Sequence, residues 1–409
     1  MQTFVYNHYP IPVKRTVLDS GLTVFTAETE SALAHIRFVI GSGWLDDTVP
    51  GIAHYLEHLL HQGPAKDGVH PTLRSLVLKG ARGNASTSLH STSYFIDVLA
   101  KDAEEAIRAL ATVCFEPEFT ASEVDRERGV VLQEARQTKN GPFSRWLIRR
   151  LYPHVRRLHV PIVGRVSDIG DMTLDEILSF HRATYHPGNA VLVATGGVSH
   201  DAIVEMANAM PARRRRKANV RKALVPQLPH ASYRKKDAGS SILILFRPPE
   251  DVWDEMRFGF MFEVLCGMPF GILFQTLRNE RRIIYSIGYE QNDWPMRDAC
   301  ITIESAPHHI RQIEDAIFNG IDRLRSGDYP KAAFDVVLAR RAVFFATIDE
   351  ISYCTFVPWL KNSWVEGDLE DIDRKAHTLS TTREDLSRIA DTYLRREHAG
   401  RIIVTPRIH

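Results

Sequence analysis

The sequence is poor in cysteine and has no long apolar run. Its four cysteines, Cys114, Cys266, Cys300 and Cys354, are scattered through 409 residues without a C-x-x-C pair. That spacing speaks against a disulfide framework and a cysteine zinc site. It points instead to buried thiols in a reducing, cytoplasmic setting. No stretch of about 18 uncharged apolar residues occurs, so no membrane span is expected. The N-terminal run MQTFVYNHYPIPVKRTVLDSG has no apolar core after a basic start, so no secretory leader is expected. Charge bias is missing too: 51 Lys+Arg oppose 50 Asp+Glu, for a net +1. This balance excludes a chain-wide electrostatic footprint for nucleic acid. The 44% hydrophobic and 25% charged fractions are those of a folded globular chain. At this length, two domains of about 200 residues are the natural expectation.

One segment reads as a linker. Residues 211–230, PARRRRKANVRKALVPQLPH, are polar, basic and Pro-flanked, with no sustained apolar period. They divide the chain into domains at 1–210 and 231–409. The basic run Arg213–Lys217 is read as part of this solvated linker, and no nucleic-acid partner is expected.

The two halves resemble each other. TLDEILSFHRATYHPGNAVLVATGG begins at Thr173, and TTREDLSRIADTYLRREHAGRIIVTP begins at Thr381. Thr173 aligns with Thr381 and Tyr185 with Tyr393, both at an offset of 208. Each segment is a capped helix with an acidic first turn followed by a β-rich run. A second pair, TSYFIDVLAKDAEEAIRALATV and DACITIESAPHHIRQIEDAIFNGI, shares an alternating strand, a turn and an amphipathic helix at an offset near 206. Two matches at nearly one offset indicate a duplication. In the first half the patterns predict strands at 22–28, 34–41, 83–89 and 92–100, with helices at 51–62, 70–80, 102–115 and 120–139. Strand pairs with helices between them give an α+β fold. The expectation is two structurally repeated halves, each a mainly antiparallel sheet packed with helices, related by an approximate two-fold.

The sharpest local feature is GIAHYLEHLLHQG. It holds His54, Glu57 and His58 in the order H-x-x-E-H. Histidines four apart share one helix face and can reach one ion. Glu57 stands beside them, where it could take a proton from a metal-bound water. Ile52, Leu56, Leu59 and Leu60 give the same helix an apolar stripe. A catalytic zinc needs a third protein ligand. The run ASEVDRERGVVLQEARQT carries Glu123, Glu127 and Glu134. Glu127 and Glu134 are seven apart, two turns along one face, and spacing alone does not choose between them.

These residues together resemble the insulinase/pitrilysin-type zinc peptidases, the group that includes mitochondrial processing peptidase and small bacterial homologues. The resemblance covers nearly the whole chain. The inverted motif is followed, 76 positions after His58, by Glu134 in ERGVVLQEA. The resemblance implies one Zn2+ per chain held by His54, His58 and Glu134, with Glu127 as an accessory acid. GNASTSLHSTSYF matches the family's edge strand beside its cleft, so Asn84 and the backbone of Ala85 are expected to hold an extended peptide. LRNERRIIYSIGY matches the family's R-x6-Y pair, which makes Arg278 and Tyr285 substrate-binding or carbonyl-polarising groups. A zinc metalloendopeptidase acting on short or unfolded peptides or precursor tails is the function this implies. The alternative is a non-catalytic or partner-dependent subunit of a heterodimeric processing peptidase. The chain is half the length of the family's two-unit members, so a homodimer, or a heterodimer with a related subunit, is expected. One departure stands out: His61-Gln62-Gly63-Pro64 replaces the family's F-K-G-T-like run. In the second half, the offset of 206 maps the zinc motif onto Phe260–Val264, with Glu263 opposite Glu57 and no histidine, and it maps Glu134 near Arg340.

Overall fold

The computed structural model describes residues 3–6, 11–62, 70–117, 119–138, 141–210, 224–236, 239–292, 296–351 and 373–407. The basic run Arg213–Lys217, most of the expected linker, and Gly63 and Pro64 lie outside them. The described residues form two compact units. Unit 1 takes those of 1–140 and 155–221, and unit 2 those of 141–154, 222–350 and 373–409.

Unit 1 is built on seven strands: β1 (Thr3–Tyr6), β2 (Val13–Val17), β3 (Thr23–Glu28), β4 (Leu33–Ile40), β5 (Arg82–Thr87), β6 (Thr92–Leu99) and β7 (Ala190–Gly196). Their order is β1-β2-β3-β7-β4-β6-β5. Only β3 and β7 run parallel; every other pair is antiparallel. The uninterrupted apolar run of β7 is buried at every position, as a central strand requires. Alternation on β4 and β6 sends Ala34, Ile36, Phe38, Tyr94, Ile96 and Val98 to one face. That face packs on the helices of the unit: α1 (Ile52–Gln62), α2 (Arg74–Leu78), α3 (Ala103–Phe115), α4 (Ala121–Gln137), α6 (Val166–Asp171), α7 (Leu174–Thr184) and α8 (His200–Asn208), where α5 is Pro142–Leu151 of unit 2. The helix expected over 70–80 is shorter, a 3-10 turn at Pro71–Leu73 followed by α2, with Gly80 at φ +91 ending it.

Unit 2 carries β8 (His230–Lys235), β9 (Ser240–Phe246), β10 (Ile287–Asn292), β11 (Asp298–Ser305) and β12 (Gly400–Pro406), in the order β10-β11-β9-β12-β8. Its helices are α9 (Val252–Cys266), α10 (Ile272–Phe274), α11 (Ile310–Ser326), α12 (Lys331–Ile351), α13 (Arg374–Leu379) and α14 (Arg383–Tyr393), with a π-helical turn at Gln275–Glu280. Read from the other edge, this sheet repeats five strands of unit 1. The strands β8-β12-β9-β11-β10 match β3-β7-β4-β6-β5, including the single parallel pair, here β12 with β8. The duplication read from the sequence is therefore present in the topology, and β1 and β2 are what unit 1 adds.

Two details differ from the sequence reading. The N-cap equivalent to Thr173 is Thr382, not Thr381. Thr173 Oγ1 accepts from Glu176 N–H at 3.3 Å, and Thr382 Oγ1 accepts from Asp385 N–H at 3.1 Å. Two adjacent threonines hid the one-residue shift. The segment 141–154 also packs with unit 2 rather than with the rest of 1–210. Phe143 and Trp146 lay their rings on Tyr233, with centroids 5.1 Å away in both cases. Tyr152 donates to Asp298 at 2.6 Å. No pattern within α5 distinguishes a helix of one unit from a helix of the other. Among the described residues, no helix is long and apolar enough to cross a membrane.

Candidate metal centre

The first turn of α1 is fixed before its histidines begin. Asp47 accepts from the N–H groups of Gly51 at 2.7 Å and Ala53 at 3.1 Å, so its carboxylate satisfies donors that the helix start would leave open. Burial nonetheless pushes Asp47 up to about 7, against the pull of those two bonds and of Arg157. Gly51 sits at φ +89, and a Cβ there would fall 2.7 Å from the Val163 carbonyl oxygen. Only glycine fits this crossing. Beyond it, Ile52, Tyr55, Leu56, Leu59 and Leu60 bury the apolar stripe. This leaves His54, Glu57 and His58 at the border of the core.

The facing helix is α4. A capping box spends Glu123 at its start: Thr120 N–H donates to Glu123 at 2.6 Å, so this acid is not a site residue. The stripe facing α1 is Val124, Glu127, Val131 and Glu134, at helical spacing. Val124, Glu127 and Val131 are buried, and acids thus stand where a packed helix normally places apolar side chains. Tyr55 joins the helices by donating to the Val124 carbonyl at 2.5 Å. Arg128 pins α4 to the carbonyls of Ile169 at 2.7 Å and Met172 at 2.8 Å.

Between the helices the geometry separates the two acids left open by spacing. Glu134 Oε1 lies 3.6 Å from His54 Nε2, and its Oε2 lies 3.3 Å from His58 Nε2. One donor atom from each of His54, His58 and Glu134 falls within 4.8 Å of the others. Glu127 binds the opposite nitrogen, His58 Nδ1, at 2.9 Å. That bond holds the ring proton on Nδ1 and leaves the Nε2 lone pair facing Glu134. Burial, then the neighbouring His58, pulls the His54 imidazole down to about 3, so it stays neutral. Its Nδ1 is buried without a hydrogen-bond partner among the described residues. For His58, burial pulls downward, but the Glu127 bond and the charges of Glu57, Glu127 and Glu134 outweigh it and leave the group raised. Glu57 accepts from the Thr87 hydroxyl at 2.9 Å, and burial raises its carboxyl above the ordinary range despite that bond. The donor set suits a divalent cation that accepts nitrogen and oxygen: two imidazoles, a half-exposed carboxylate astride them, and an acid orienting one ring.

The remaining expected residues fall in two places. Asn84 and Ala85 lie on β5, the edge of the seven-stranded sheet, and Thr87 of that strand is the partner of Glu57. Asn84 Oδ1 accepts the N–H of Ala85 at 2.9 Å, so the side chain covers the main-chain donor expected to face a peptide. Arg278 and Tyr285 belong to unit 2. Arg278 lies over the Tyr285 ring at 5.2 Å and donates to the Ile284 carbonyl at 3.3 Å, while Tyr285 is 81% exposed. Sequence reasoning missed Tyr55 and Thr87, whose partners are distant along the chain, and Asp47, whose acid just ahead of the helix start was a local capping signal. In unit 2, α9 and α12 hold the places of α1 and α4. There Glu263 receives a hydrogen bond from Arg341, next to the Arg340 onto which the repeat offset maps Glu134; the Arg340 guanidinium binds the Met268 carbonyl at 2.7 Å.

Two family models match the chain. Insulinase (Peptidase family M16) covers residues 23–159, and Peptidase M16 inactive domain covers 171–340. A Streptomyces coelicolor protein named as a zinc protease is 29% identical over 308 residues, taking in 70% of this chain and 66% of that protein. The mitochondrial-processing peptidase subunit beta of Neurospora crassa is 30% identical over 205 residues, 48% of this chain and 43% of the subunit. The periplasmic protease PqqL of Escherichia coli shares the fold at a TM-score of 0.77 and 14% identity, over 99% of this chain and 48% of that one. The chain belongs to the insulinase-type M16 peptidase family, with the zinc motif in the part matched by the insulinase model. The match spans just under two thirds of its Streptomyces relative.

Proposed function

We propose that the protein is a zinc-dependent endopeptidase of short or unfolded peptides. The observation that carries this reading is the convergence of His54 Nε2, His58 Nε2 and the Glu134 carboxylate, with Glu127 on the far nitrogen of His58 and Glu57 alongside. His54, His58 and Glu134 would hold one zinc ion. Bound there, zinc supplies a Lewis acid for the peptide carbonyl and for water. Glu127 orients His58. Glu57, its carboxyl already raised by burial, accepts the proton of the attacking water and delivers it to the departing amine. Thr87 holds the Glu57 carboxylate in position from the strand edge along which a peptide would lie. For an added strand to bond at Ala85, Asn84 must release the N–H it now covers and turn to the peptide. The family resemblance assigns Arg278 and Tyr285 to substrate binding, and the 81% exposure of Tyr285 leaves its ring and hydroxyl open to a ligand. A strand edge accepts only extended chain, so folded domains should resist cleavage.

The M16 relative that is a named subunit of a larger enzyme supports assembly with a second related chain. A homodimer is the simplest form, because this chain carries both the zinc half and the Arg278/Tyr285 half. The three free cysteines among the described residues support a reducing, cytoplasmic setting. The test is metal analysis of the purified chain together with digestion of an unstructured peptide library, before and after chelation. Zinc near one equivalent with chelator-sensitive cleavage is the expected result. Zinc bound without any cleavage would favour the non-catalytic subunit instead.

A further inference from the structure

The balanced total charge hides a segregation along the chain. Residues 135–167 and 206–236 hold 18 of the 51 Lys+Arg and none of the 50 Asp+Glu. The other 345 residues carry 33 Lys+Arg against all 50 acids. Folding joins the two acid-free stretches within unit 2. Phe143 and Trp146 of α5 lie on Tyr233 of β8, and the Gln227 N–H donates to the Leu151 carbonyl at 2.7 Å.

This joining leaves the outer side of α5 uncovered. Arg145, Arg149 and Arg150 are exposed, and none has a carboxylate partner among the described residues. Arg150 lies over the Trp146 ring at 5.5 Å. Elsewhere in unit 2, Arg257, Arg297, Arg325, Arg341, Arg388 and Arg401 each meet an acid. Lys235 stands two residues beyond Tyr233, on the side of β8 that α5 covers, and adds a fourth cation. The acids of that sheet face are distant or spent. Glu290 and Glu304 lie on β10 and β11, three or four strands from β8, or about 14–19 Å. Asp298 is buried and accepts from Tyr152 at 2.6 Å and from Asn292 at 3.1 Å.

We propose that the side of α5 carrying Arg145, Arg149 and Arg150 docks an acidic, extended segment of another polypeptide. Guanidinium forks pair with carboxylates through two parallel hydrogen bonds. Arg145 and Arg149 are one helical turn apart, about 6 Å between Cβ atoms. Alternate residues of an extended chain are about 6.6–7 Å apart, so acids at every second position meet successive arginines. Other polyanions fit less well. A bilayer needs an apolar side to enter, and α5 spends Phe143 and Trp146 on Tyr233. The same two rings would be the stacking platform for single-stranded nucleic acid. A duplex longer than the face would run onto a chain that is otherwise net acidic.

The test is fluorescence anisotropy of a labelled peptide of alternating Glu and Ser, titrated with the full chain at low salt. The peptide should bind and weaken as salt is added, and its Lys-Ser counterpart should not bind. Changing Arg145, Arg149 and Arg150 together to Gln should raise Kd by about ten-fold or more at an unchanged melting temperature. Should that variant melt lower, Arg145→Glu alone reverses one exposed charge and should still raise Kd. Changing Arg213–Lys217 to serine should raise it less than the α5 variant does. No binding of the acidic peptide, a Kd unmoved by the α5 substitutions, or a larger loss from Arg213–Lys217 overturns the proposal. So does tighter binding, at the same salt, of a single-stranded oligonucleotide or of vesicles rich in phosphatidylserine. The measurement involves no cleavage, so the peptidase reading stands or falls separately.

Discussion

Glu127 and Glu134 stand seven residues apart on one helix face, yet they should respond to the same substitution in different ways. In the proposed centre Glu134 is a direct donor, and Glu127 acts through His58 Nδ1 at 2.9 Å. Glu127→Gln preserves size and still offers an amide oxygen to the Nδ1 proton. The hydrogen bond therefore survives, while its charge assistance and its hold on the tautomer weaken. Loss of such an orienting partner costs about 10–100-fold in metal affinity, or about 1.4–2.7 kcal/mol. Glu134→Gln removes the only anionic donor and leaves two imidazoles, too few for a closed set of three. Its loss should exceed that of Glu127→Gln by about ten-fold or more. Competition against a chromophoric chelator measures both. The titration belongs near pH 8, because the raised His58 holds a competing proton as pH falls towards its folded value. Equal zinc loss from the two variants, or a larger loss from Glu127→Gln, would refute the assignment of Glu134 as the third ligand.

Glu57→Gln should retain zinc and lose turnover by about 100–10,000-fold, checked by metal content and peptide cleavage on one sample. Without metal the same variant should melt higher than wild type at neutral pH. Burial raises the Glu57 carboxyl in the folded state, so folding favours its protonated form, and that stability is lost as pH rises through the folded value; the gain should vanish in acid. Gly51→Ala should destabilise by about 2 kcal/mol or more, since φ +89 strains any L-residue and the new Cβ meets backbone at 2.7 Å. Gly129→Ala, in the middle of α4 with nothing within 4 Å, should instead stabilise by about 0.5–1 kcal/mol, and thermal melts compare the two. Arg341→Leu should destabilise the chain by about 2 kcal/mol through an unpaired Glu263, and Glu263→Leu in the same chain should recover most of it.

What the sequence made legible was periodic. The H-x-x-E-H spacing put both imidazoles on one face of a helix whose apolar stripe was visible in Ile52, Leu56, Leu59 and Leu60. The first-half strands and helices fell within a few residues of their observed bounds, and the duplication recurs as a shared strand order. The choice of third acid was not periodic. Glu127 and Glu134 share a face, and what separates them is which nitrogen of His58 each approaches, a matter of how α4 sits against α1. Spacing does carry one hint: in Val124-Glu127-Val131-Glu134 acids alternate with core valines, and a buried acid such as Glu127 is costly unless something pairs with it. Thr87 and Tyr55 were invisible because each acts across a tertiary contact, whereas Asp47 binds only four and six residues on and stood in the sequence as an acid ahead of a helix start. The helix at 142–151 joined the other unit through the rings of Phe143 and Trp146 on Tyr233, about ninety residues on, and local pattern carries no such address.

The two units show what the fold requires and what the chemistry adds. Both use the same order of five strands, with a helix after the second strand and a helix pair after the fourth. In unit 2, α9 and α12 bring together one carboxylate and one guanidinium, Glu263 and Arg341, which neutralise each other where they meet. In unit 1 the corresponding helices bring three carboxylates, Glu57, Glu127 and Glu134, around two imidazoles of which His54 is held neutral. Those charges do not cancel. Burial, with the charge of Glu134 adding to it, raises the Glu57 carboxyl, and an acid left charged there opposes folding. A divalent cation between His54, His58 and Glu134 would restore the balance that Arg341 gives unit 2 from within the chain. Ligand binding to the folded state adds its free energy to stability. The metal should therefore stabilise unit 1 and leave unit 2 unaffected, and the duplicated half could discard its ligands without losing its fold because an arginine took over the charge.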